Sequence, residues 1–437
     1  MTTNKADTQH SLTREQKEAV GVLSLGTFLE QFDIMLYIHM AVLLNELFLP
    51  QTDAYVSSLM SAFTFCSTFI FIPIGAVIFG WIGDNIGRKA TVVLTTLLTS
   101  LSCLTIAFLP TYNEIGIKAS IIMIGCRIIQ STASMGEVIG AIIYTIEFTK
   151  PPIRYYSVAL IPVLGYSGGL AALGVACFIL YSEINWRGIF IFGALIALVG
   201  MTIRSKLRET KDFSDAQARL KKEYNRPIDK NNYLLDVDHK QTYIAMFCAQ
   251  CIWPLCFFFV FIYCGQFLKT KFNYSAIEVV QHNFIISIFP VLSSFIRAKL
   301  TLKFHPLILF KYSLVISFVL FVVTGLYLEA NPHAFGLGVL QALLVMFTAN
   351  GYTESSVIFS HLPVLQRFKS ACMAYACSRA FMYIITSFGL VFMIKLCGVF
   401  WGLTFAISCI TCVGFYGYVY FSRLEEMTKP TVVTSRE

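Results

Sequence analysis

The stretch Cys126–Ala141, CRIIQSTASMGEVIGA, sets Arg127 and Glu137 ten residues apart inside an otherwise apolar segment. At 3.6 residues per turn, Arg127, Gln130, Ser134, Glu137, Ala141 and Tyr144 fall on one stripe, with the two charges about 15 Å apart along the axis. If this helix crosses a bilayer, its stripe must face protein or water, because hydrocarbon cannot solvate it. The rest of the chain has the same character. Of its 437 residues, 56% are hydrophobic and 13% are charged, with 39 Phe and 21 Tyr, and its mean hydropathy is +0.68. Soluble domains carry about 25% charged residues. The apolar residues come in separate runs of roughly 20 or more, each sufficient to cross about 30 Å of hydrocarbon as a helix.

The runs predict an all-α membrane protein of twelve transmembrane helices near 19–47, 55–82, 90–109, 117–147, 153–181, 187–206, 241–268, 276–298, 306–328, 334–360, 370–397 and 399–421. They divide into an N-terminal segment 1–18, a six-helix half 19–206, a polar central loop 207–240, a second six-helix half 241–421 and a C-terminal segment 422–437. The central loop reads as a solvated linker, with an amphipathic helix around Phe213–Tyr224 as the other reading. The first apolar run holds Glu30 and Asp33 and has no small-residue cleavage site, so it reads as a retained helix and not a signal peptide. Of the 33 Lys and Arg, only Lys118, Arg187, Lys269, Lys271 and Lys395 fall on the side opposite the N-terminus. Arg127, Arg204, Lys311 and Arg379 fall within helices. The positive-inside rule then puts both termini in the cytoplasm.

Charged groups inside such helices are costly, so their positions carry information. Glu30, Asp33 and Tyr37 share a face of the first helix, with Gly26 one turn earlier. The fourth helix has the opening stripe, the seventh has Gln250, Trp253 and the kinking Pro254, and the tenth has Asn350, Glu354 and His361. Polar helices three apart in a six-plus-six chain suggest three-helix units, each giving its first helix to a central cavity. Arg379, in the eleventh helix, stands outside this period. Each polar group taken alone is equally well read as a structural hydrogen bond or ion pair.

No HExxH, Walker A or GxGxxG pattern occurs, which argues against enzyme chemistry and an ATP-driven pump. Cys248/Cys251 and Cys409/Cys412 sit in apolar runs without acidic or histidine neighbours and read as packing residues. No metal or cofactor is implied, and no clustered basic face suits nucleic acid.

The segment Gly80-Trp-Ile-Gly-Asp84-Asn-Ile-Gly87-Arg88-Lys89 resembles the GxxxDxxGR[RK] signature of the major facilitator superfamily, with Asn85 in place of a basic residue. Glycines there allow a tight turn and close helix approach, Asp84 can meet a helix N-terminus, and Arg88 can bridge to a neighbouring helix. More of the chain resembles the metabolite:proton symporter subgroup, which includes proline/betaine carriers. Gly26 and Glu30 to Asp33 resemble its GNxxEWFD stretch. Arg127, Gln130, Gly136, Glu137, Gly140 and Ala141 resemble its RxxQGxxxGGEYxGA helix, and Glu147-Phe148 its closing acidic pair. Trp186-Arg187 resembles its WRIPF segment, and Leu207 to Phe213 its LxETxxF segment. Ser131, Met135, Val138, Gly188 and Ile189 depart from these patterns, and the second half resembles the subgroup mainly by topology.

The resemblance implies a monomeric, multi-pass carrier of the bacterial inner membrane whose partners are a small-molecule substrate, a proton and membrane lipid. In that setting Glu30, Asp33 and Glu137 are the candidate proton carriers, since burial disfavours a carboxyl's charged form. Arg127 and Arg379 are candidates to hold a substrate carboxylate through their guanidinium forks. Trp253 suits a quaternary ammonium by cation–π contact. Uptake or efflux of a di- or tricarboxylate, including a citrate-type siderophore, is the alternative, and a non-transporting sensor is a third reading.

Overall fold

The structure, a computed structural model, describes residues 9, 11–48, 69–182, 187–204, 240–330, 332–364 and 366–428. The central segment 205–239, with the amphipathic helix expected in it, lies outside the described residues. The described chain is helical, with no strand. Its rods are α1 (Arg14–Phe48), α2 (Ile72–Asn85), α3 (Arg88–Phe108), α4 (Ile117–Phe148), α5 (Ile153–Ser182) and α6 (Arg187–Arg204). After the central segment come α7 (Lys240–Phe272), α8 (Ile277–Leu300), α9 (Pro306–Glu329), α10 (Ala334–His361), α11 (Arg367–Cys397) and α12 (Val399–Thr428). Among the described residues, nine helices are long and apolar enough to cross a membrane. The flanking rods run past the expected boundaries: α1 begins at Arg14 and not 19, and α12 continues to Thr428 and not 421.

Within the first half α1 lies along α5, and α3 lies against both α4 and α6. Gly168 permits the first of these contacts, because a Cβ there would stand 2.0 Å from the Phe28 carbonyl oxygen. Within the second half α12 packs on α7 and α9. The halves meet most extensively where α2 packs on α11 and α5 on α8, with α5–α10 and α4–α11 contacts beside them. Residues such as Ile121, Phe178, Phe335 and Trp401 point outward and are exposed, as side chains facing lipid would be.

Three helices are interrupted, the seventh at the kink expected from Pro254. In α7 the helix breaks at Gln250 and Cys251, then passes through a π-helical segment, Phe258–Tyr263. Pro254 accounts for the break: it has no N–H for the Gln250 carbonyl four residues back, and its ring crowds that carbonyl. In α10 the chain leaves helical geometry over 348–351 and restarts at Tyr352, with Gly351 at φ +88°. In α11 a π-helical segment spans Ile385–Leu390.

The α10 break is held from outside. Arg297 lies inside α8 and is buried. Its guanidinium donates to the carbonyls of Met346 (3.0 Å) and Thr348 (2.9 Å) and to the hydroxyls of Ser293 (3.2 Å) and Ser313 (3.0 Å). A fully buried backbone freed from its helix needs such partners.

Candidate functional site

The side chains on the opening stripe of α4 reach α1 and α3. Arg127 is 1% exposed, and its Nη1 lies 3.1 Å from Asp33 Oδ2. The same nitrogen donates to Gln130 Oε1 at 2.8 Å, while Gln130 Nε2 donates to Asp33 Oδ1 at 2.9 Å. Cys103 of α3 closes the group, with its Sγ 3.2 Å from Gln130 Nε2 and 3.7 Å from Asp33 Oδ1. The helical spacing of Arg127 and Gln130 lets both grip one carboxylate from the neighbouring helix. This cluster lines a cavity of about 380 Å³ with Glu30, Thr99 and Ser134.

A second cavity, of about 610 Å³, adjoins the first and lies between the halves. From the first half it takes Glu30, Gln31, Ser134 and Tyr166, and from the second Trp253, Tyr352, Tyr375, Arg379 and Tyr383. Its walls are aromatic. The Tyr166 ring meets Trp253 at 5.6 Å and Tyr352 at 6.4 Å, the latter edge to face. Phe69 and Phe257 pack on Tyr383 at 3.9 and 6.1 Å. Arg379 lies with its guanidinium carbon 4.6 Å from the Tyr375 ring centre. Its Nη1 is buried and has no hydrogen-bond partner among the described residues, an unmet donor on the cavity wall. The cavity lining therefore combines Glu30 and Arg379, of opposite charge, with aromatic faces.

Of the sequence-derived candidates, Glu30, Asp33, Arg127 and Gln130 come together at the first cavity, and Glu30, Trp253 and Arg379 at the second. Asn350 and Glu354 do not line either one. Asn350 Oδ1 accepts the Tyr352 N–H at 3.1 Å, and Glu354, 1% exposed, sits in the restarted turn of α10. Gln250 supports that turn, donating to the Gly351 carbonyl at 3.3 Å and to Ser355 Oγ at 3.1 Å. The side chains of Glu137 and Arg88 lie outside those described. Cys103, Tyr166, Tyr375 and Tyr383 escape the sequence reading, because a cysteine or tyrosine in an apolar run looks the same facing lipid or cavity.

The α2–α3 turn clasps the other half. Asp84 accepts the backbone N–H groups of Phe368 (3.3 Å) and Lys369 (2.8 Å), the opening turn of α11. The N-cap of that helix, Gln366, makes no side-chain cap of its own, so Asp84 supplies the cap from across the halves. Gly80 lets the helices approach, since a Cβ there would fall 2.9 Å from the Lys369 Cα. Gly87 turns the chain at φ +137°, and Lys89 follows in the first turn of α3. Beside the clasp, Glu147 of α4 pairs with Arg367 of α11 at 3.3 Å. Asp84→Asn is expected to loosen the clasp by about 1 kcal/mol, the worth of a helix-terminal charge. Labelling of a cysteine placed at this turn should then speed up, and an unchanged rate would remove Asp84 from the clasp.

The description of the Major Facilitator Superfamily fits residues 23–366. The chain belongs to this superfamily. Within the superfamily, the proline/betaine transporter of Escherichia coli strain K12 is 29% identical over 204 residues, covering 45% of this chain and 41% of that protein. The chain thus matches less than half of that relative's length. Two solved facilitator structures share the fold. One is the proton:xylose symporter XylE bound to 6-bromo-6-deoxy-D-glucose, at TM-score 0.75 and 15% identity over 93% of this chain and 95% of that one. The other is the human organic anion transporter TETRAN, at TM-score 0.65 and 15% identity, covering 94% of this chain and 100% of that one. The superfamily consists of transporters, which agrees with the absence of any enzyme motif.

Proposed function

We propose that this chain is a proton-coupled symporter of a small zwitterionic metabolite, working by alternating access in a bacterial inner membrane. In this reading it is a monomer with twelve spanning helices and both termini in the cytoplasm, the side of the Asp84 clasp. The observation that carries the reading is the cavity between the halves, which Arg379, Glu30 and several aromatic rings line together. A carboxylate docks on the guanidinium fork of Arg379. A methylated or secondary ammonium sits against Tyr166, Trp253 and Tyr352 by cation–π contact.

Arg127 bears on the substrate class. Its charge is matched by Asp33 at 3.1 Å, so Arg379 is the arginine that faces the larger cavity. One such cation suits a zwitterion's single carboxylate better than a di- or tricarboxylate. Asp33 and Glu30 carry the proton: a proton on Asp33 frees Arg127 and lets α1 shift against α4, linking charge movement to rocking of the halves.

Purified protein in liposomes with an inward proton gradient tests the reading against glycine betaine, proline, citrate and 2-oxoglutarate. Accumulation of glycine betaine or proline, collapsed by a protonophore, is expected. Accumulation of citrate or 2-oxoglutarate alone would overturn the zwitterion assignment in favour of the organic acids. No accumulation of any of the four would favour the non-transporting sensor over both transport readings.

A further inference from the structure

Two imidazoles and a carboxylate meet beside the Asp84 clasp and take no part in the cavity. His361, at the end of α10, places Nε2 2.9 Å from Glu425 Oε1 on the last turns of α12. His305, capping the start of α9, places Nε2 3.9 Å from Glu425 Oε2. Three elements of the second half thus converge on one carboxylate. The first half touches this group through Tyr155 of α5, whose ring meets His305 edge to face at 5.3 Å. Arg154 stands next to Tyr155, which feels the charges of both Glu425 and Arg154. On α11, Arg367 donates to the carbonyls of Ser360 and Leu362, on either side of His361, while pairing with Glu147 of α4. Arg423 and Glu426 flank Glu425 on α12 itself.

Histidine is the side chain that ordinarily changes charge between pH 5 and 8. Charging His361 and His305 adds ion-pair attraction to their contacts with the Glu425 carboxylate. A charged His305 also binds Tyr155 by cation–π attraction, across the boundary between the halves. The opposing loss is small: His305 Nδ1 gives up a long 3.4 Å contact with the Leu307 N–H.

We propose that His305, His361 and Glu425 form a proton-operated latch that holds the two halves together on the clasp side in acid and loosens as pH rises. Placing that side in the cytoplasm rests on the orientation under Proposed function, and there the latch slows turnover when the cell interior acidifies. It is separate from the proton carried with substrate, because none of its groups reaches the cavities.

Electron–electron distance measurements between nitroxides at Lys150→Cys and Lys303→Cys read the latch without any substrate. These exposed lysines sit in the α4–α5 and α8–α9 turns, and the exposed Cys397, Cys409 and Cys412 become serine. The ratio of long to short distances is expected to rise on the order of five-fold between pH 6 and pH 8, the effect of one exposed cation–π or charge-assisted contact. The double variant His305→Gln with His361→Gln, and separately Glu425→Gln, should flatten this response. A native protein whose distances ignore pH, or variants that keep the native response, overturns the latch. Glycine betaine counterflow at matched inner and outer pH separates the two ideas. Transport without a pH-dependent distance defeats the latch alone, whereas a pH-dependent distance without transport of any metabolite keeps the latch and defeats the symporter reading.

Discussion

Arg379→Ala is expected to abolish saturable uptake at working substrate concentrations while leaving the fold intact. The guanidinium is buried, its Nη1 lacks a partner among the described residues, and its flat face rests on Tyr375. The unmet Nη1 gains a partner when an anion arrives. Removing it should therefore spare or even raise thermal stability, because a desolvated charge goes with it. Losing a buried charge-assisted contact costs about 3 kcal/mol, on the order of 100-fold in affinity. Arg379→Lys keeps the charge but not the two-pronged geometry and should recover only part of the loss. Binding measured by calorimetry together with melting temperature decides the matter. A melting temperature that falls in step with uptake would make Arg379 a structural residue and leave the substrate carboxylate without its anchor.

The features legible in the sequence share one cause: a polar group in lipid must have a reason. Apolar runs of sufficient length fixed an all-helical membrane protein, and the Gly80–Lys89 signature fixed its superfamily. The same reasoning picked out Asp33, Arg127 and Gln130 as residues of one site, and the structure places them in hydrogen-bond contact across α1 and α4. The pattern failed where the deciding residue is ordinary for a membrane helix. Tyr166, Tyr352, Tyr375 and Tyr383 build the cavity wall, but an aromatic side chain is equally at home against lipid. Arg297, at the end of the expected helix 276–298, carries no sign in the sequence that its guanidinium is buried and turned toward the α10 break. The break in α10 was equally hidden, since its Ala349-Asn350-Gly351 sequence carries no proline. Partners supplied by Arg297, Gln250, Ser293 and Asn350 satisfy the interrupted backbone inside the protein core.

These interruptions also bear on how the cavity forms. In α7 the break precedes Trp253, and in α10 it precedes Tyr352, so in both helices an aromatic wall residue directly follows a departure from regular geometry. A continuous helix would fix the direction of each ring by the 3.6-residue period. An interrupted one can turn its rings toward Tyr166 of the other half, as the 5.6 and 6.4 Å contacts record. The second half thus contributes aromatic groups from reoriented helices, while the first contributes a fixed ionic cluster on regular ones.

That ionic cluster yields the second large effect. Asp33→Asn preserves shape but strands the Arg127 charge, whose side chain is 1% exposed beside the 9% exposed Asp33 side chain. Breaking a buried pair on one side costs about 3–5 kcal/mol, because the remaining ion has neither water nor a counter-charge. The melting temperature should fall clearly, and proton-driven accumulation should disappear. Removing both charges, with Asp33→Asn and Arg127→Gln together, should restore most of the stability, since two neutral amides can still exchange hydrogen bonds with Gln130. Accumulation should remain lost, because the carboxyl that takes the proton is absent from both variants. Counterflow of unlabelled against labelled substrate needs no net proton movement and should return in the double variant. This split, stability and exchange recovered while uphill transport stays absent, separates a proton carrier from a structural ion pair. If the double variant accumulates substrate against a gradient, Asp33 is only a brace for α4, and the proton must travel by Glu30.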